Sequence, residues 1–175
     1  MAWGNLSAAW PYKGEPSGNP TKLRINTTTA STNGTYPNVP IFTGSGVRID
    51  QAATYTEGTA VLMGGGTLAA SNVFGGVVNG KYTWTAGEDC HGLTDRKYIE
   101  VHTEGEFWFH LTSAAETDIG DKCYESADST YGPAAVTKTA GNGVCVGVIT
   151  DVDVTNAMAK VKITGYACNL ASVSS

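Results

Sequence analysis

Charge is scarce in this chain of 175 residues: Asp, Glu, Lys and Arg make up 15% of it, against the usual ~25%. Lys and Arg number only 11 and the net charge is −5, so the basic footprint of a nucleic-acid-binding protein is missing. No apolar run approaches the ~18–20 residues of a membrane helix. Met1-Ala2-Trp3-Gly4-Asn5 lacks a basic stretch followed by an apolar one and does not read as a secretory leader. There is no CxxC pair among Cys90, Cys123, Cys145 and Cys168, which excludes zinc-ribbon and dithiol redox spacing. Without a leader the thiols are expected to be reduced and mostly buried, with Cys123 and Cys145 free. Long helical stripes are missing too. Ser113-Ala114-Ala115-Glu116 and Thr155-Asn156-Ala157 offer at most single turns, too short to persist alone.

What is present is apolar, aromatic and rich in turns. Hydrophobic residues reach 41%, and Gly 22, Trp 4 and Tyr 8 accompany them. Such a chain is not a charged disordered one, and its length fits one domain, with or without an arm. Residues 1–46 read as an extended arm rich in Pro, Gly and Thr. Pro11, Pro16 and Pro20 exclude a helix or a central strand there, and Leu23-Arg24-Ile25 is the one short strand. The arm nevertheless carries aromatics, which a disordered tail rarely does. Trp3, Trp10, Tyr12 and Tyr36 are therefore candidate anchors against another subunit.

Residues 47–168 read as a β domain with an insert near 67–97, followed by a tail at 169–175. Val47-Arg48-Ile49, Ala60-Val61-Leu62-Met63, Val77-Val78, Tyr98 to Thr103, Glu106 to Leu111, Val144 to Ile149 and Met158 to Ile163 are short β-like runs between turn signals. Asn79-Gly80 marks a hairpin between Val77-Val78 and Lys81-Tyr82-Thr83-Trp84, and Glu104-Gly105 a second reversal. The pattern predicts an all-β fold, a compact barrel or sandwich of short antiparallel strands with an extended N-terminal arm. Alternation places Val101, Phe107, Phe109, Val146, Val148, Val161 and Ile163 in the core.

Candidate chemistry is thin. Asp89-Cys90-His91 places a thiol beside an imidazole, but neighbours on an extended chain point to opposite faces. His102 and His110 would share a face only in one hairpin register, and zinc asks for three or four ligands. Asp118-Ile119-Gly120-Asp121 and Asp151-Val152-Asp153 lack the loop pattern of a calcium site and read as turns. Gly64-Gly65-Gly66 is followed by no GK[ST] and is no phosphate loop. No catalytic, metal-binding or cofactor-binding residue is assigned, and the chain is not expected to be an enzyme.

The C-terminal half carries a resemblance. Gly105-Glu106-Phe107-Trp108-Phe109 is followed by Ile119-Gly120-Asp121-Lys122-Cys123-Tyr124, then Thr137, Gly143-Val144-Cys145-Val146-Gly147-Val148-Ile149 and Ala159-Lys160-Val161-Lys162-Ile163. This order resembles a family of small phage and prophage proteins, formerly of unknown function, that sit among head genes and look like capsid decoration, or cement, proteins. The upstream Tyr55 to Leu62 fits more loosely, so the match spans about residues 55–164, with Cys123 where the pattern has Val. A recombinase label attached to that family finds no nucleotide loop here.

The resemblance implies a structural virion protein that binds the outer surface of a phage head and bridges its subunits. It would be assembled in the host cytoplasm, with the major capsid protein and further copies of itself, as a trimer, for partners. Neither nucleic acid, membrane nor cofactor is implied. The alternative is a β-sandwich module for carbohydrate binding or adhesion on a virion or cell surface.

Overall fold

A computed structural model describes residues 14–24, 44–50, 59–63, 73–80, 98–126, 131–140 and 144–164. Within them lie β1 (Glu15–Pro16), β2 (Thr21–Arg24), β3 (Gly46–Asp50), β4 (Thr59–Leu62), β5 (Val73–Val78), β6 (Tyr98–His102), β7 (Glu104–Leu111), β8 (Lys122–Glu125), β9 (Ala135–Thr137), β10 (Cys145–Asp153) and β11 (Met158–Thr164). No α-helix occurs among the described residues; Glu116–Asp118 and Gly132–Ala134 form single 3-10 turns. The fold is all-β. One sheet runs β7-β11-β10-β8-β9 and closes on itself through a parallel pairing of β9 with β7, at His110↔Ala135 and Leu111↔Val136. The second sheet is antiparallel, in the order β2-β6-β5-β3-β4. β5, which lies within the stretch read as an insert, sits between β6 and β3.

The two layers share a backbone connection rather than a turn. β6 belongs to the second sheet and β7 to the barrel, with only Thr103 between them. Residues 14–24 lie antiparallel to both: Glu15↔Glu106 and Pro16↔Gly105 on the barrel, then Thr21↔Val101 to Arg24↔Tyr98 on the second sheet. One strap running alongside β6 and β7 in register requires the chain to continue forward between them. The reversal expected at Glu104-Gly105 is therefore absent. Gly105 instead serves close approach: its φ is +131°, and a Cβ there would come 2.6 Å from the Glu15 carbonyl oxygen. Within the stretch read as an arm, residues 14–24 thus lie on the chain's own body. Pro16 is tolerated because β1 is a two-residue edge strand. The Lys81–Trp84 half of the expected hairpin at Asn79-Gly80 lies outside the described residues.

One apolar core serves both layers. Phe107, Phe109 and Leu111 of β7, Ala159, Val161 and Ile163 of β11, and Val146 and Ile149 of β10 meet Met63, Phe74 and Val77 from the second sheet. Of the expected core residues, Val101, Phe107, Phe109, Val146, Val161 and Ile163 are buried. Val148 is not; it is 36% exposed. The cause is a bulge. Cys145 pairs with Tyr124 and Gly147 with Cys123, so two steps on β10 oppose one on β8. A second irregularity follows between Ile149 and Asp151 against β11. Each extra residue flips the alternation, so β10 turns inward at Val146, Ile149 and Val152 rather than at every second position.

Candidate functional site

Among the described residues, those that sequence alone singles out are not brought into one site. His102 and His110 fall on strands that are not paired with each other. His102 stacks on Phe107 at 6.0 Å between centroids, and His110 stacks on Tyr131 at 3.6 Å. Partial burial pushes the His102 imidazole below its ordinary pKa, with Glu100 opposing the shift. Among the described residues no group of three or more His, Cys, Asp or Glu is placed to hold a metal ion.

The acidic motifs act locally. Asp118 accepts from the Ala115 N–H at 2.8 Å and from Lys138 Nζ at 2.8 Å, which fixes the 3-10 turn. The Lys138 hydrogen bond holds its carboxyl below the usual range against the opposing effect of burial. Asp153 accepts from both the backbone and side-chain nitrogens of Asn156 and shapes the β10–β11 turn.

The cysteines divide. Cys123 is free and buried, its thiol pushed up to about 12 by desolvation, so it is no nucleophile at neutral pH. Cys145 corrects an expectation: it is disulfide-bonded, not free. Its place in an apolar run pointed to a buried free thiol, and spacing alone cannot reveal a partner distant in sequence. Cys90 and His91, and the candidate anchors Trp3, Trp10, Tyr12 and Tyr36, lie outside the described residues.

Three arrangements escaped sequence reasoning. Arg48 of β3 and Glu125 of β8 form a buried ion pair at 2.5 Å, with side chains 3% and 2% exposed, joining the second sheet to the barrel across 77 residues of chain. Lys160 of β11 reaches Glu15 and Glu106, both at 3.3 Å, and ties the strap to the barrel. The two carboxylates raise the Lys160 pKa. Finally, the outer face of the barrel carries a row running Glu106↔Lys162↔Val148↔Lys122 across β7, β11, β10 and β8. The alternation of basic and apolar residues in Met158 to Ile163 signalled the β11 part of that face. Val148 gave no such signal, because its exposure depends on the bulge.

No protein-family model matches the chain, and no curated protein matches it.

Proposed function

We propose that this chain is a structural virion protein, a capsid decoration or cement protein that binds the outer surface of a phage head and stabilises it by bridging capsid subunits. One observation carries the reading. Most of the segments bearing the resemblance fall on β7, β8, β10 and β11, consecutive neighbours in the closed barrel, with Thr137 on β9 beside them, while the described part of the looser upstream segment, Thr59–Leu62, is β4 of the second sheet. The barrel motifs therefore form a single structural unit, with Phe107 and Phe109 at its centre. Gly147, also part of the pattern, supports the same unit: a Cβ there would stand 2.3 Å from the Lys162 carbonyl oxygen on the adjacent strand.

A cement protein needs a rigid body with its backbone paired, and barrel closure removes the free edges that invite aggregation. A disulfide at Cys145 suits a particle surface exposed to oxidising surroundings. The anchors on the capsid are Trp3, Trp10 and Tyr12, which precede the strap, together with Tyr36. Mass spectrometry of purified particles tests the reading: the chain should be present near the copy number of the major shell protein. Its absence from particles that contain the shell protein would overturn the proposal. Deleting residues 1–13 should then leave the β body folded and release it from the head.

A further inference from the structure

His102 ends β6 at the point where the chain leaves the second sheet for the barrel. It pairs with Val77 of β5, and its ring stacks on Phe107 of β7. Its Nδ1 atom is buried and meets no hydrogen-bond partner among the described residues. A neutral imidazole tolerates this, because it can carry its proton on Nε2 and leave Nδ1 bare. The imidazolium cannot: it must place an N–H on Nδ1, where the packing offers no acceptor. Among the described residues Glu100, two positions back along β6, is the charged group that acts on the ring, and it opposes burial without overcoming it. Lys22 of the strap stands opposite Glu100, while Val77 and Phe107 bring no charge.

Phe107 links this histidine to the strap. Gly14 lies directly on the Phe107 ring: a Cβ at Gly14 would collide with its Cδ1 atom and with the Glu106 carbonyl oxygen. Past Gly14 the strap holds β7 by little. Glu15 and Pro16 form a two-residue pairing, the Ser17 N–H donates to the Glu104 carbonyl at 3.1 Å, and Glu15 reaches Lys160 at 3.3 Å. Pro16 has no N–H to give. By contrast, β2 is paired with β6 over four residues, Thr21 to Arg24.

We propose that His102 is the trigger of an acid-sensitive latch: its protonation turns the ring off Phe107 and frees residues 14–17 from β7, while β2 stays paired with β6. Local opening of this kind begins where backbone pairing is shortest and most exposed. The latch opens as pH falls, because the seated ring disfavours the charged form and the released ring takes up its proton near the ordinary value of 6.5. The device requires neither a second copy nor a capsid.

The test follows amide exchange by NMR in the isotope-labelled full chain between pH 7.5 and pH 5, corrected for the intrinsic pH dependence of exchange. In the wild type the Ser17 amide should lose about tenfold in protection at the acid end, with the midpoint of the His102 ring titration in the same samples. The amides of β2 and β11 should keep theirs. His102→Phe leaves an aromatic ring to stack on Phe107 but takes no proton, so its Ser17 protection should not change with pH. His102→Gln makes the same test should the Phe variant misfold, with circular dichroism as the check. Glu15→Gln removes the carboxylate of the strap itself and should leave the pH response in place. Ser17 protection independent of pH in the wild type, a loss that persists without the histidine, or a loss shared equally by β2 and β11 would each overturn the inference.

Discussion

In the barrel, inward positions on β7 and β11 hold Phe107, Phe109, Leu111, Ala159, Val161 and Ile163; in the second sheet, β3 carries Arg48 into the buried layer, where it meets Glu125. The barrel is therefore held by apolar area, which is large but non-directional. The joint between the layers adds a contact that works in one geometry, since a buried guanidinium needs its carboxylate in place. The difference teaches how the layers divide their work. Closure of the barrel tolerates conservative repacking, whereas the seating of the second sheet adds to the shared apolar contacts of Met63, Phe74 and Val77 one directional charge pair and the strap running alongside β6 and β7.

Two substitutions break that comparison from its two sides. Phe109→Ala should destabilise the protein by about 3–5 kcal/mol in denaturant unfolding, because it empties the centre of the barrel. A loss below ~1 kcal/mol would mean that the ring is not in the core. Glu125→Leu should also cost about 3–5 kcal/mol, since it strands a buried cation, but the double variant Arg48→Met with Glu125→Leu should recover most of that loss. No such recovery is available to Phe109→Ala. If the double variant is as unstable as the single, the joint is not an ion pair in the sense argued here.

Much of the barrel was legible in the sequence, and the joint was not. Glu106 to Leu111 and Met158 to Ile163 alternate cleanly, and their inward residues were found. Val146 and Val148 look equivalent by alternation, and only the backbone bulge separates them. Arg48 sits in an alternating run where a charge normally marks the solvent face, and its partner is 77 residues away. Long-range charge pairing leaves no local periodicity to read. The reversal read at Glu104-Gly105 failed because glycine signals positive φ and close approach as well as turns. Among the described residues singled out for chemistry, Asp118 and Asp153 serve turns, and His102 and His110 stack on rings.

A smaller effect separates the barrel periphery from the junction by pH. Asp118, on the barrel, has its folded pKa depressed below its ordinary 3.8, chiefly by the Lys138 hydrogen bond. Its stabilisation is complete above that ordinary value and is lost as pH falls through the folded pKa. His102, at the junction, has its folded pKa depressed below 6.5 by burial. The folded state disfavours the imidazolium, so stability declines as pH falls through about 6.5 toward the folded value. Both groups make acid destabilising, in separate windows. Lys138 is 38% exposed, so the Asp118 pair contributes about 1 kcal/mol or less. Asp118→Asn should remove the lower step of a stability–pH profile and His102→Gln the upper one. A profile unchanged by His102→Gln would show that the junction carries no titrating group in this range.

The smallest expected effect sharpens the comparison within the barrel. Val146 and Val148 share a strand, a residue type and a parity, and differ only in the bulge between Cys145 and Gly147. Val146 is fully buried and Val148 is 36% exposed. Val146→Ala removes two buried methyl groups and should cost about 1.5–3 kcal/mol, the transfer of those groups plus the cavity they leave. Val148→Ala removes the same atoms from a half-wet surface and should stay within about 0.5 kcal/mol. Measured by the same unfolding experiment, the pair isolates the bulge from every other variable. Equal costs at the two positions would mean that β10 alternates regularly and that Val148 points inward.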